Sequence, residues 1–385
     1  MDQQQLREIL EAAINTPGAT ADRSNEAAIH TAIRAQLELE LQGNATLLMG
    51  TSAFNAVWVL PQFLLNHART KGPDDAIRWL SKILSATKVS VLRVMPLWGL
   101  ELSQPIDLTE SIRLLPLSEL PNRPYWSEPT RPRPGLDVRM YEMQPPKTAL
   151  VARIVQKLMI SGDDLSESDF SFPTDNLLEE LRLCLTLVAP SAIVPAAQQS
   201  LFEDSDFADL ALFGGFFLRA MEVRPRDLVS FGVFDIERAQ RLVRAYLALD
   251  ADARGRIHLA LDRFDRALRR HTPGDAAIEL AISLDSLLGD GQGELTWKLG
   301  LRSALLVAGT KSERVERRAV VEAIYELRST VVHTGRTPTR IKKKGHGKLS
   351  PAELIPMAMI TTAEVISAAI HRGKLPDWFD EELGP

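Results

Sequence analysis

A guanidinium and an imidazole lie five residues apart near the end of a long amphipathic pattern. The stretch AIYELRSTVVHTG, residues 323–335, contains Arg328 and His333. Arginine is always charged, and its planar fork matches phosphate oxygens. Histidine both takes and returns a proton near neutral pH. The two residue types together suit cleavage of an RNA phosphodiester without a metal ion.

The spacing alone is weak evidence, because an arginine followed closely by a histidine recurs along the chain. The other instances are Arg23–His30, Arg266–His271 and Arg340–His346. Only Arg328 and His333 are embedded in an apolar pattern of helical period, formed by Ile324, Leu327 and Val331. We therefore expect packing to hold this pair, on a helix from Glu313 to His333 that stops at Gly335.

Helix geometry does not bring the pair together by itself. Residues five apart on an ideal helix are separated by about 140° around its axis. Either the last turn opens near Gly335, or the site is a wide cleft filled from two chains. The second alternative predicts a symmetric homodimer.

The stretch from Tyr325 to Gly335, YELRSTVVHTG, resembles the signature of HEPN domains (higher eukaryotes and prokaryotes nucleotide-binding), and within them the ApeA-like branch. Two upstream stretches agree with that branch, AIELAISLDSLL at 277–288 and LRSALL at 301–306. The resemblance covers about residues 254–378. It implies a helical domain with metal-independent endoribonuclease activity, in which Arg328 and His333 are the catalytic residues.

Four further residues are candidates for supporting this pair. Ser329 and Tyr325 are placed to donate hydrogen bonds to phosphate. Many active family members carry Asn, Asp or His where this chain has Ser329. Glu279 and Asp285 lie among apolar residues and need partners. Either they form buried ion pairs that fix helix register, or, as the resemblance implies, one of them orients Arg328.

A basic segment, GRTPTRIKKKGHGKL at 335–349, begins two residues after His333. We interpret it as a polar loop without an acidic residue. Its cations are candidates for holding an RNA backbone: Arg336, Arg340, Lys342, Lys343, Lys344 and Lys348. The alternative is a solvated segment without a ligand.

Composition is that of an ordinary globular protein of 385 residues. Residues 236–385 carry 24 Lys and Arg against 20 Asp and Glu, a balance of +4, which leaves −9 for residues 1–235. The basic half contains the Arg328–His333 pair, which suits a polyanionic ligand. We see no signal peptide, membrane span or metal-ligand spacing, so we expect a cytoplasmic protein without cofactor or metal.

The overall pattern predicts an α+β protein that is mostly α. Residues 1–233 form an α+β region, and residues 234–385 form an all-α bundle with its core at 254–378. We expect a small antiparallel sheet between Lys88 and Ile160, and helix again over Asp175–Met221. The N-terminal helices are expected at Gln3–Ile14, Ser24–Leu41, Ser52–Ala68 and Asp74–Ser85.

A proline-rich insert, PNRPYWSEPTRPRP at 121–134, interrupts the sheet region. It interleaves aromatic and basic residues, which is typical of single-strand stacking sites. The interpretation we favour is an extended loop pinned to the body by Tyr125 and Trp126.

Three functions follow as hypotheses. The first is an endoribonuclease acting on single-stranded or loop RNA, in anti-phage abortive-infection defence or as a toxin, with the N-terminal region sensing a phage or regulatory trigger. The second is a non-catalytic dimer that binds RNA or a nucleotide. The third is a purely structural protein, in which Arg328 pairs with a carboxylate inside the bundle.

Overall fold

The computed structural model describes residues 2–15, 23–41, 45–49, 52–120, 146–161, 173–213, 217–218, 229–230, 233–290, 295–345 and 347–383. Its α-helices are α1 Gln3–Asn15, α2 Arg23–Glu40, α3 Ala56–Lys71, α4 Pro73–Ser85, α5 Pro173–Leu185, α6 Val233–Leu247, α7 Ala251–Arg269, α8 Pro273–Leu288, α9 Leu295–Leu306, α10 Lys311–Thr334, α11 Pro351–Arg372 and α12 Trp378–Leu383. Its strands are β1 Ala45–Met49, β2 Ser52–Asn55, β3 Val89–Trp98, β4 Leu100–Glu101, β5 Ile106–Asp107, β6 Ile112–Pro116, β7 Thr148–Gln156, β8 Met159–Ser161, β9 Val194–Pro195, β10 Ala197–Phe202, β11 Phe217–Leu218, β12 Val229–Ser230, β13 Ile341–Lys343 and β14 Gly347–Leu349. Within the described ranges, 3₁₀ segments cover Leu117–Glu119 and Ser205–Phe213.

A seven-stranded sheet forms the centre of the N-terminal region. Its order is β11-β10-β3-β7-β6-β5, with β9 also paired to β3, and every pairing in it is antiparallel. The central strand β3 is mostly apolar, and its residues Val91, Leu92, Val94 and Met95 are all buried. Arg93, in the same strand, is also buried and donates to the Ser200 hydroxyl of β10. Both faces of β3 are therefore covered by other elements.

The largest hydrophobic core runs from this sheet into the helical bundle. It joins Met95 and Leu97 of β3 to α5 and then to apolar residues of α6 through α11. Arg182 of α5 is 2% exposed and binds Asp265 of α7, with its Nη1 2.9 Å from Oδ1. The predicted division at residues 233–234 stays a prediction, and the core is continuous across it.

The α+β, mostly α fold class is confirmed, and the helix predicted at Glu313–His333 is found as α10, Lys311–Thr334. Helix was wrongly predicted at two places. Residues 52–55 are strand β2, because Asn55 caps α3 by accepting a hydrogen bond from the Val57 amide. Within 175–221, residues 194–195, 197–202 and 217–218 form β9, β10 and β11, and residues 205–213 form a 3₁₀ segment. Strand β10 forms because pairing with β3 outweighs local helix propensity. The proline-rich insert lies outside the described residues.

Among the described residues, one helix of the bundle, α11, is long and apolar enough to cross a membrane. Of its most apolar window, 56% is buried among the other elements, as in the core helix of a bundle. The expectation of no membrane span stays a prediction.

Candidate functional site

Helix α10 carries the candidate pair, and both of its ends are defined by local chemistry. Thr310 and Glu313 form a capping box at its start. At its end Gly335 adopts φ 66°, the left-handed conformation that glycine accepts without strain, and its N–H donates to the Val331 carbonyl. The helix is therefore regular through Thr334, and the alternative in which its last turn opens is wrong.

Arg328 is half-buried and lies over the ring of Tyr325, one turn earlier on the same helix. The guanidinium carbon is 5.7 Å from the ring centroid, within the range of a cation–π contact. Among the described residues, no carboxylate oxygen lies within 4.0 Å of the Arg328 nitrogens. The guanidinium is thus supported from below, and its hydrogen-bond donors remain available to a ligand.

Asp285 of α8 is the acidic residue that interacts electrostatically with Arg328. Burial raises the pKa of the Asp285 carboxyl, Arg328 opposes that rise, and Asp290 adds to it. Burial and the nearby Asp285 likewise raise the pKa of Tyr325 to about 12, again against Arg328. These shifts place Asp285, Tyr325 and Arg328 in one partly desolvated cluster. Gly289 backs it, since a Cβ at that position would lie 2.1 Å from Asp285 Oδ1.

Glu279, the other acidic candidate, has different partners. It is 5% exposed and binds Arg263, at 3.3 Å, and Arg270. Glu279 and Asp285 are six residues apart, so they are about 120° apart around α8. Asp285 shares the face of Gly274, which packs against Val331 of α10. Glu279 points to α7, and its predicted role in orienting Arg328 is wrong because two other arginines occupy its carboxylate.

His333 lies in the last turn of α10, with its side chain exposed. Its imidazole makes no hydrogen bond to any residue in the described part of the chain. Because the helix is regular, Arg328 and His333 are about 140° apart around the axis and about 7.5 Å apart along it. Ser329 lies between their two faces and is half-buried. One chain therefore presents the two groups on different sides of the helix end.

The basic segment after α10 contains a β-hairpin, not the predicted loop. Strands β13 and β14 pair with Lys342 opposite Lys348. The hairpin packs back along α10, where Lys343 is 1% exposed and binds Glu316. Its neighbour Lys344 binds Glu322 at 2.6 Å.

The role of Lys343 in binding RNA is therefore wrong, since its ammonium is buried in an ion pair. Its partner Glu316 lies 17 residues before His333, about 25 Å along the helix. Arg340 is exposed and donates to the Lys348 carbonyl, 3.3 Å away. Arg336, Lys342 and Lys348 also have exposed side chains, so they stay candidates for contact with RNA.

A cavity of about 960 Å³ lies elsewhere, between the sheet and α6. Its arginines Arg113 and Arg153 already pair with Asp107 and Glu203. Gln240 donates to the Asp107 carbonyl. We place the candidate site at the end of α10, because the side chains of its arginine and histidine form no ion pair with a described residue there, whereas the arginines of this cavity are already paired.

Sequence reasoning missed two glycines that shape this end of the bundle, Gly274 and Gly289. A Cβ at Gly274 would lie 2.6 Å from Thr337 Oγ1, in the segment that follows His333. Their positions could have indicated this role, because Gly274 lies in the first turn of α8 and Gly289 directly follows its last residue.

No family model, curated protein or solved structure matches the chain at a significant level. The HEPN interpretation stays a prediction based on the residues quoted above.

Proposed function

We propose that the chain is a metal-independent endoribonuclease of HEPN type, with Arg328 and His333 as its catalytic residues. The observation that carries the proposal is the end of α10. A guanidinium with available donors lies there over the ring of Tyr325 and interacts electrostatically with Asp285, and an exposed imidazole lies less than two turns away. The exposure of His333 argues against the purely structural hypothesis, in which the pair is closed inside the bundle.

In the proposed reaction the imidazole of His333 removes the proton from a ribose 2′-hydroxyl. The 2′-oxygen attacks phosphorus, the bond from phosphorus to the 5′-oxygen breaks, and that oxygen takes a proton from water. His333 then returns its own proton to solvent. Arg328 stabilises the charge that develops on the phosphoryl oxygens. The products are a 2′,3′-cyclic phosphate and a 5′-hydroxyl, and neither a metal nor a cofactor takes part.

The remaining residues of the cluster have positioning roles. In this scheme Tyr325 supports the Arg328 guanidinium through its ring, Asp285 attracts it electrostatically, and Ser329 donates a hydrogen bond to a phosphate oxygen. Single-stranded or loop RNA is the favoured substrate, because unstacked nucleotides reach the in-line geometry that the attack requires. The N-terminal region would sense a phage or another trigger, and the cleavage would serve defence or act as a toxin.

The angular separation of Arg328 and His333 supports an active site assembled from two chains. A symmetric dimer around the α10 ends would place the arginine of one copy opposite the histidine of the other. Each dimer would then contain two equivalent composite sites.

The first experiment compares the intact chain with Arg328→Ala and His333→Ala. We expect the intact chain to fragment single-stranded RNA with cyclic-phosphate ends, and each variant to lose at least about 100-fold in rate. Binding of a labelled RNA should survive in His333→Ala. Equal fragmentation by all three purified proteins would point to a contaminating nuclease and remove the proposal.

Mixing the two inactive variants tests the shared site. If each site takes its arginine and histidine from different chains, every mixed dimer regains one complete site, and a 1:1 mixture should recover about a quarter of full activity. If one chain supplies both groups, the mixture stays inactive.

The second candidate is a non-catalytic dimer that holds RNA or a nucleotide. Ser329 favours it, because it replaces the polar or titratable residue found in many active members. Intact protein that binds RNA but cleaves none of a broad RNA panel would support this candidate over the nuclease.

A further inference from the structure

A groove between α9 and α10 lies at the opposite half of α10 from His333. Its volume is about 440 Å³, and its walls come from residues at helical spacing on both helices. Leu301 and Ala304 line the α9 side, while Lys311, Arg314 and Arg318 line the α10 side. The groove is therefore a built feature of two packed helices, with an apolar floor and a basic wall.

An exposed tryptophan marks one end of the groove. Trp297 is 47% exposed and lies one turn before Leu301 on the same face of α9. The Arg318 guanidinium carbon is 5.8 Å from the centre of its indole ring. On the facing helix Val315 is 60% exposed. Large apolar side chains beside open cations form a surface on which a flat, negatively charged ligand gains both stacking and ion pairing.

The cations of this wall are largely available. Within the described part of the chain, the side chains of Lys311 and Arg314 make no hydrogen bond or ion pair, and both residues are exposed. The nearby Glu313 is turned to the helix start, where it accepts hydrogen bonds from Thr310. Its charge is therefore already engaged by the capping box.

The second acidic residue beside the groove, Glu322, is shared by two cations. It accepts from Arg318 at 2.8 Å and lies 2.6 Å from the Lys344 ammonium. Partial burial works to raise the pKa of Glu322, but the hydrogen bonds from Lys344 and Arg318 outweigh it and the pKa is lowered. Two positive charges facing one carboxylate leave this end of the groove positive.

We propose that the α9–α10 groove binds single-stranded nucleic acid, with a base stacked on Trp297 and backbone phosphates on Lys311 and Arg314. Its charge complements a phosphodiester backbone, and the indole presents the sequence-tolerant stacking surface that unpaired bases use. The choice of RNA as the strand rests on the proposed function. The groove then holds the RNA on the same helix that carries the reactive groups, about 28 Å from His333 along α10, counted from Arg314.

The test measures the affinity of a fluorescently labelled single-stranded RNA by anisotropy, in a His333→Ala background so that no cleavage interferes. Trp297→Ala should weaken binding about tenfold, and Trp297→Phe should retain most of the affinity. Lys311→Glu with Arg314→Glu should weaken binding and lower the slope of log K against log salt concentration by about 1.4, the loss of two phosphate contacts.

Two controls match these changes elsewhere on the surface. Trp58 is 62% exposed and also lies under an arginine, Arg34, at 3.5 Å. It belongs to the acidic N-terminal region, so Trp58→Ala should leave the affinity within about twofold. Lys88→Glu with Lys374→Glu alters net charge by the same amount through two exposed lysines outside the groove.

Groove variants that bind RNA like their controls would overturn the inference. The inference would also be overturned if the groove variants kept the RNA affinity but changed the oligomer mass measured by sedimentation. The groove would then be a contact between protein chains. Failure of the proposed function is separate: if the intact chain binds RNA without cleaving it, loss of binding in the groove variants still supports the groove.

Discussion

The two halves of α10 are held by different means. The first half, up to Glu322, is fastened by three ion pairs to two other segments of chain. Arg317 binds Glu364 of α11, and Glu316 and Glu322 bind lysines of the hairpin. The second half has no ion pair within 4.0 Å among the described residues. Its charged groups contact a ring, a more distant carboxylate, or solvent. The fastened half therefore anchors α10 to its neighbours. The second half, residues 323–334, keeps its polar groups available for a ligand, and we call it the open half.

Breaking the fastened half should have the largest effect on stability. Glu316→Ala leaves the ammonium of Lys343 buried without its carboxylate. We expect a loss of about 3 kcal/mol in the free energy of unfolding, the low end for such pairs because Glu316 is 40% exposed. Urea denaturation of the intact chain and the variant gives this difference.

Lys343→Met is the matched control, since it removes the buried charge and keeps the aliphatic stem. Replacing a buried ion by an apolar side chain of similar volume is often nearly neutral, so this variant should lose less than about 1 kcal/mol. If Glu316→Ala costs no more than Lys343→Met, the hairpin is not fastened through this pair.

Asp285→Asn sharpens the comparison at the open half, because it should separate activity from stability. Loss of the carboxylate frees the Arg328 guanidinium, and misplaced catalytic groups reduce rates by about 10- to 100-fold. Single-turnover cleavage of one RNA measures that loss. An unchanged rate would show that Tyr325 alone positions the arginine.

Stability should respond in the opposite direction. The pKa of Asp285 is higher in the folded chain than its ordinary value of 3.8. The folded state therefore binds the proton more tightly, and stability is lost as the pH rises from 3.8 through the folded-state pKa. Asparagine does not titrate, so Asp285→Asn avoids that loss and should melt at the same or a higher temperature than the intact chain at neutral pH. The gain in melting temperature should vanish below pH 3.8. A lower melting temperature at neutral pH would contradict the burial argument.

Gly274→Ala tests the close packing beside His333. The new Cβ would meet Thr337 Oγ1 and the methyl groups of Val331, so the segment after His333 must shift. We expect a loss of about 1 kcal/mol in unfolding free energy, with slower RNA cleavage. Gly255→Ala in α7 has open space and should instead stabilise by about 0.5–1 kcal/mol. If both alanine variants are stabilised equally, the segment after His333 shifts without a free-energy cost.

The sequence predicted the elements of this region well and their partners poorly. The α10 helix, its stop at Gly335 and the candidate pair all follow from local signals within 25 residues. The choice between Glu279 and Asp285 does not, because it depends on which face of α8 meets α10 and which meets α7. Counting helical angles from Gly274 identifies the face, but only once the packing of Val331 is known.

The predictions for the basic hairpin and for strand β10 were wrong for a related reason. A run of lysines is typical of a solvated loop, and nothing local indicates that Lys343 is buried against a glutamate 27 residues earlier. Likewise β10 is a strand because β3 needs a neighbour at its edge. In each case a long-range partner outweighs the local pattern.

Tyr325 gives the smallest expected effect and decides how the open half works. Tyr325 is 7% exposed and its ring lies under Arg328. We therefore expect the ring, and not the hydroxyl, to position the guanidinium. Tyr325→Phe keeps the ring and should change the cleavage rate by less than about twofold, while Tyr325→Leu loses a contact worth about 0.5–1 kcal/mol and should slow it about two- to fivefold. If phenylalanine is as slow as leucine, the hydroxyl itself reaches the phosphate, and the open half contributes a third donor beside Arg328 and Ser329.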